Sequence, residues 1–287
     1  MDKSKSGTGT KLVHAGRRRA WTHGIVNPPV YHASTCVFET LEEFDAAVSK
    51  PNDGLYYGRR GTPTQWALQE AMAETEPGAA GCRLTPSGVS AIAAGLLAFL
   101  KPGDHLLMTD SAYEPTRGLC QGLLKDMGVT TTYYAPTLGS DIASLLQDNT
   151  AVVFCESPGS LTFEVQDVAA ISAAAHAAGA IVMIDNTWAT GLLFNPFEHG
   201  VDVSTQALTK YVVGHSDAML GAILANEEHW AKAEQTVFRL GLCAAPDDAY
   251  LGLRGLRTLD VRLRQHEKNA LEVAKALSGH PLVSQVL

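Results

Sequence analysis

From Thr64 onward, short runs of apolar and β-branched residues alternate with stretches of helical spacing. The runs at His105–Thr109, Thr130–Tyr134, Ala151–Cys155, Ile181–Ile184, Val203–Leu208 and Ala218–Leu224 read as strands. Helical spacing covers Gln65–Glu74, Gly88–Leu100, Pro115–Met127, Asp141–Gln147 and Val165–Ala178. Stops follow at Pro77-Gly78, Lys101-Pro102-Gly103-Asp104, Gly128 and Gly179, where proline breaks the backbone ladder or glycine takes a left-handed cap. Strands this apolar need cover on both faces. The pattern therefore predicts an α/β fold with a parallel sheet between helical layers. Beyond Glu227 the spacing is helical, with one long charged helix from about Asp247 to Leu277 ended by Gly279 and Pro281.

Residues 1–60 are different. They hold Pro28, Pro29, Pro51 and several turn residues, and predict an extended arm with one short helix near Leu41–Val48. So long an irregular segment is either disordered or held by something outside its own subunit.

Composition narrows the class. The chain has 287 residues, 46% hydrophobic and 18% charged, which excludes collagen-like, coiled-coil and disordered proteins. A net charge of −8 without a long basic run argues against nucleic acid or an anionic membrane as a partner. Cys36, Cys82, Cys120, Cys155 and Cys243 are scattered, with no C-x-x-C, and point to a reducing compartment rather than a disulfide framework. The N-terminal MDKSKSGTGTKL has no apolar signal core. The longest nearly apolar stretch, Val168 to Ile184, contains His176 and Gly179 and reads as a helix, a stop and a buried strand, not a membrane span. A cytoplasmic location is expected.

In open α/β sheets, ligands sit beyond the carboxyl ends of the strands. Here those ends carry Tyr113, Glu156, Asp185 and Lys210. Alone, Asp185 is a strand-end turn residue and Lys210 a loop lysine. Together, an acid and an amine at neighbouring strand ends suit pyridoxal phosphate, whose aldehyde binds an amine and whose ring nitrogen needs a carboxylate. Thr85-Pro86-Ser87-Gly88-Val89-Ser90 opens an apolar helix, where free amides favour a phosphate, or where Ser87 is simply the N-cap. Tyr113 could stack on a flat ring or only pack. Dinucleotide, Walker, zinc-protease and hydrolase-elbow motifs are absent, and the ten histidines show no metal-ligand spacing.

Several segments then read as a set: Tyr57-Gly58-Arg59-Arg60-Gly61-Thr62, Pro86-Ser87-Gly88, Ala112-Tyr113-Glu114-Pro115, Glu156-Ser157-Pro158-Gly159-Ser160, Asp185-Asn186-Thr187-Trp188, Thr209-Lys210-Tyr211-Val212-Val213-Gly214-His215-Ser216-Asp217 and Arg254-Gly255-Leu256-Arg257-Thr258-Leu259. In this order, from about Thr10 to the end, the chain resembles the pyridoxal-phosphate enzymes of cysteine and methionine metabolism. The resemblance implies an aspartate-aminotransferase-like (fold type I) large domain with a mostly parallel seven-stranded sheet. It divides the chain into an N-terminal arm (1–60), a cofactor-binding domain (61–256) and the start of a largely missing C-terminal domain (257–287). It implies pyridoxal 5′-phosphate as cofactor, with Lys210 as the Schiff-base lysine and Asp185 as the partner of the ring nitrogen. Tyr113 would stack on the ring, Gly88 and Val89 amides with Thr209 would hold the phosphate, and Asn186 would orient Asp185 or reach the ring. Tyr57 and Arg59 would reach the phosphate of a neighbouring subunit, in a homotetramer with shared active sites, which would also explain the irregular arm.

Within that family, Gly61-Thr62-Pro63-Thr64, Trp188 and Ala207 replace the Gly-Asn-Pro-Thr, Phe and Ser usual in γ-synthases and γ-lyases. Arg60 and the Arg262-Leu263-Arg264-Gln265-His266 run point the same way, to the β-lyases. The implied reaction is α,β-elimination of cystathionine, an amino-acid thioether, to homocysteine, pyruvate and ammonia, in methionine biosynthesis. Lys210 would be the base, with Lys210 or Tyr113 as proton donor. The alternatives are another sulfur amino-acid enzyme (a γ-lyase, γ-synthase or cysteine desulfhydrase) or a non-catalytic pyridoxal-phosphate-binding fragment.

Overall fold

The computed structural model describes residues 7–50 and 54–286; residues 1–6, Pro51, Asn52, Asp53 and Leu287, which include part of the polar N-terminus and one arm proline, lie outside the described residues. Three helices come first: α1 (Thr8–His14), α2 (Arg19–Thr22) and α3 (Leu41–Ser49). An alternating series follows: α4 (Pro63–Thr75), β1 (Gly81–Thr85), α5 (Gly88–Phe99), β2 (His105–Thr109), α6 (Glu114–Leu119), β3 (Thr130–Tyr134), β4 (Thr150–Glu156), α7 (Val168–Ala177), β5 (Ile181–Asp185), α8 (Thr190–Leu193), β6 (Val203–Gln206) and β7 (Gly221–Ala225). The chain closes with α9 (Glu227–Arg239), α10 (Pro246–Leu256) and α11 (Leu259–Ser278).

The strands form one seven-stranded sheet in the order β1-β7-β6-β5-β4-β2-β3. β3, β2, β4, β5 and β6 run parallel, and β7 is antiparallel to both β6 and β1. β2 and β7 are buried at every position, as expected of strands covered on both faces. One core includes α4, α10, β1 and β7, through Leu68, Met72, Leu84 and Leu253. A second joins α5 and α9 to β2 and β4, and a third joins α7 to β4 and β5. α5 can lie close across the sheet because its face is small. A Cβ on Gly95 would stand 2.5 Å from Met183 Cε. That close seat brings the N-terminus of α5 to the strand ends. No helix among the described residues is long and apolar enough to cross a membrane.

Three expectations from the pattern change. β1 was not among the strands read from hydrophobicity, because Arg83 sits at its centre. The guanidinium is buried there by an ion pair with Glu234, a bond to Gln69 and the ring of Phe238. The long charged helix is two helices that break at Arg257-Thr258. The arm is not uniformly irregular either. Leu12 and Ala15 are buried in this chain's own core, and Arg257 Nη1 donates to both of their carbonyls at 2.7 Å. Residues 25, 26 and 37 remain exposed, in keeping with the rest of the arm.

Candidate active site

The carboxyl ends of β2, β4, β5 and β6 open into one cavity of about 1030 Å³. Tyr113, Glu156, Asp185, Thr187, Thr209 and Lys210 all line it. The acid and the amine chosen from sequence thus share one cleft, where an α/β sheet is expected to bind a ligand.

Asp185 ends β5, nearly buried. Its Oδ1 accepts the Thr187 backbone N–H at 3.0 Å and the Thr187 hydroxyl. The same hydroxyl accepts the Ala207 N–H at 2.7 Å, so Thr187 ties the end of β5 to the turn that carries Lys210. Both Thr187 bonds fall on Oδ1, which leaves Oδ2 for a ligand. Burial pushes the Asp185 carboxyl up, and the two Thr187 bonds oppose it.

Glu156 is the Cα partner of Asp185 in the parallel ladder. Its Oε2 accepts the Tyr113 N–H at 2.8 Å, which fixes the start of α6 and so the place of the Tyr113 ring. Burial, then the neighbouring Asp185 charge, pushes the Glu156 carboxyl up to about 8, against the Tyr113 and Ser160 bonds. Asp185, with two donors on one oxygen, is the better site for the negative charge, and Glu156 is the one that holds a proton.

At the N-terminus of α5, the Ser87 hydroxyl accepts the Ser90 N–H at 3.2 Å and Ser90 returns a bond to the Ser87 N–H. The cap therefore uses the third amide and leaves those of Gly88 and Val89 without an intrahelical partner. The N-cap reading of this segment holds, and the free amides that the phosphate reading requires are present. A Cβ on Gly88 would stand 2.4 Å from Ala207 Cβ, so this helix start presses on the turn before Lys210. Ala207 and Thr209 form the cavity wall there. The Thr209 hydroxyl also bonds Leu220, from its N–H at 2.8 Å and to its carbonyl at 3.1 Å.

Other residues fall elsewhere. The Asn186 amide points away from the cavity, and its Nδ2 donates to Glu76 Oε1 at 2.7 Å and to the Phe194 carbonyl at 3.1 Å. Thr187, not Asn186, orients Asp185. Alternation along the extended chain is the reason, since Asp185 and Thr187 face one way and Asn186 the other. Tyr57 and Arg59 do not line this chain's cavity. Tyr57 is exposed, its backbone bridged to Thr35, and Arg59 Nη1 donates to the Phe238 carbonyl at 2.9 Å.

The outer wall includes Trp188, Tyr211, Asp217, Arg262 and His266. Arg262 is held by the Gly255 carbonyl at 2.8 Å and the Thr258 hydroxyl at 3.1 Å. Gly214 has φ of +76°, a left-handed conformation that favours glycine, and the Arg262 guanidinium packs against it, with Nη1 2.4 Å from where a Cβ would stand. The only sequence signal for Arg262 was its place in the Arg262–His266 run. Thr187 had only its place in the Asp185-Asn186-Thr187-Trp188 segment.

The donor set fits pyridoxal phosphate: a primary amine and a buried carboxylate in one cavity, and two free helix amides behind its wall. Among the described residues, no cluster of His, Cys, Asp and Glu is placed to hold a metal ion.

Residues 9–287 match the family described as Cys/Met metabolism PLP-dependent enzyme. Escherichia coli cystathionine β-lyase MetC is 49% identical over 280 residues, covering 96% of this chain and 71% of that protein. The structure of Xanthomonas oryzae cystathionine γ-synthase, in complex with aminoacrylate and cysteine, is 35% identical with a TM-score of 0.88, over 98% of this chain and 70% of that one. The Campylobacter jejuni MetY structure, which contains N′-pyridoxyl-lysine-5′-monophosphate, is 26% identical with a TM-score of 0.88, over 96% of this chain and 76% of that one. The sheet is accordingly that of the aspartate-aminotransferase-like, type I large domain. By its sequence match, its fold and the amine and acid that meet in its cavity, this chain belongs to the pyridoxal-phosphate-dependent enzymes of cysteine and methionine metabolism.

Proposed function

We propose that this chain is a carbon–sulfur lyase that performs α,β-elimination on cystathionine, giving homocysteine, pyruvate and ammonia. The observation that carries the reading is the meeting of Lys210 and Asp185 in one cavity, in a chain 49% identical to a cystathionine β-lyase. When bound, pyridoxal phosphate supplies an electron sink for the pair left as the substrate Cα loses its proton.

The residues divide the work. Lys210 Nζ would hold the cofactor aldehyde and would take the substrate Cα proton. Asp185 would keep the ring nitrogen protonated. Tyr113 would stack on the ring, and its hydroxyl or Lys210 Nζ would deliver a proton to the departing sulfur. The Gly88 and Val89 amides, with Thr209, would hold the phosphate, at a helix start where dipole and free donors favour an anion. Trp188 and Ala207 stand at the wall positions that separate this chain from the γ-enzymes.

Tyr57 and Arg59, turned away from their own cavity, reach the phosphate of a neighbouring subunit in a homotetramer. In this reading residues 1–60 are the arm, 61–256 bind the cofactor and 257–287 begin a C-terminal domain; the helix break at Arg257-Thr258 is in keeping with that division. Five free cysteines support a cytoplasmic location.

Incubation of the pyridoxal-phosphate-loaded protein with cystathionine tests this. Pyruvate and homocysteine support it. Cysteine and 2-oxobutyrate would mean γ-cleavage. Bound cofactor with no thiol released would mean a non-catalytic cofactor-binding protein.

A further inference from the structure

The end of α4 brings a carboxyl group beneath the strand ends. Glu76 follows that helix and is fully buried. Its Oε1 accepts two side-chain amides, Asn186 Nδ2 at 2.7 Å and Gln206 Nε2 at 2.6 Å. Those residues close two adjacent parallel strands, β5 and β6. Because side chains alternate along extended chain, the neighbours of Asn186 and Gln206 face the other way. Asp185, Thr187 and Ala207 all line the cavity. One carboxyl thus grips, from below, the two segments that present the ring-nitrogen acid and the lysine turn from above. Gly191 shows how closely the site is built, since a Cβ there would meet Glu76 Cγ at 2.7 Å and the Thr75 carbonyl at 2.4 Å.

Glu76 Oε2, Asn186 Oδ1 and the nearby Ser204 hydroxyl have no hydrogen-bond partner. The Nδ2–H to Oε1 bond is one half of the two-bond pairing of an acid with an amide. Burial holds this carboxyl up at about 7, against its side-chain hydrogen bonds.

We propose that Glu76 is a positioning residue that, through Asn186 and Gln206, sets the spacing of Asp185 from the Ala207–Lys210 turn. The inference rests on the cavity's role as the cofactor site, and nothing in it requires Glu76 to touch substrate or cofactor. Glu76→Gln preserves the acceptor and offers an N–H where the acid offers O–H. Glu76→Leu keeps the bulk and removes both.

Hydrogen–deuterium exchange on the cofactor-free proteins is the first measurement, because it needs no activity. In Glu76→Leu, peptides covering 183–190 and 204–210 should exchange at least ~10-fold faster, with β2 and α5 unchanged. Glu76→Gln should follow the wild type. Titration with pyridoxal phosphate should then show affinity about 10-fold weaker in Glu76→Leu, and kcat on cystathionine should fall about 100-fold with KM within about twofold. If Glu76→Leu does not fold, as judged by circular dichroism, Gln206→Leu gives the same reading at 204–210. Unchanged exchange and cofactor affinity in the leucine variant would overturn the proposal. So would equal damage in Glu76→Gln. Local exchange that responds as stated in a protein that binds no cofactor would instead overturn the functional reading and leave the clamp standing.

Discussion

Glu156 and Asp185 are Cα partners at the carboxyl ends of adjacent parallel strands, and both carboxyls reach the same cavity. Two acids so placed do not both ionise cheaply. Their surroundings separate them: Thr187 gives Asp185 Oδ1 two donors, while burial and the Asp185 charge push the Glu156 carboxyl up against its Tyr113 and Ser160 bonds.

That separation has a pH signature in the cofactor-free protein. The Glu156 carboxyl is raised from 4.5 to about 8 in the fold. Between those values the native state binds more protons than the unfolded chain, so stability is lost as pH rises through this window. Glu156→Gln removes the titrating group and keeps an acceptor for the Tyr113 N–H. Denaturant unfolding at pH 5, 6.5 and 8 should show a wild-type decline steeper than the variant's by a few kcal/mol across the window. Parallel slopes would refute the assignment of the proton to Glu156.

Thr187 joins Asp185 to the lysine turn through one hydroxyl. Removing a bond to a charged group costs ~1.5–3 kcal/mol. Thr187→Ala should weaken pyridoxal-phosphate binding by roughly 10- to 100-fold. Thr187→Ser, which retains the hydroxyl, should stay within a few-fold. Absorbance titration of the cofactor-free proteins compares them.

Gly88 is set by contact, not by backbone angle. A Cβ would meet Ala207 Cβ at 2.4 Å and Cα at 2.8 Å. Gly88→Ala must push α5 from the turn, with an overpacking cost of about 1–3 kcal/mol. Thermal unfolding should show the loss, and cofactor affinity should fall with it, because the same helix start carries the free amides.

Arg59 lies outside its own cavity, held by the Phe238 carbonyl. If it serves a neighbour, Arg59→Ala and Lys210→Ala subunits fail at different sites. Each variant alone should lose activity, Lys210→Ala by ~10³-fold or more. Unfolding and refolding the two together should restore part of it, since some mixed sites receive an intact residue from each chain. No recovery in a demonstrated mixed oligomer would place Arg59 in service of its own subunit or of none.

Much of this protein was legible along the chain. The apolar runs at β2, β4 and β5 are continuous because those strands are covered on both faces, and burial leaves its mark residue by residue. The helix start at Ser87-Gly88 was legible for the same local reason, since caps and first-turn residues act within a few positions, whereas the start at Thr62-Pro63 lies two residues before the Gln65 read from spacing. Pairings between distant residues were not. Arg83 hides β1 from a hydrophobicity pattern because its partners, Glu234 and Phe238, lie on a helix far along the chain. Asn186 stood beside Asp185 in sequence, yet the pleat of the strand turned it beneath the sheet to Glu76. Short-range steric and hydrophobic rules are written into neighbouring residues, whereas the side of a strand that meets a given partner, and the buried charge that partner neutralises, are decided only when the sheet assembles.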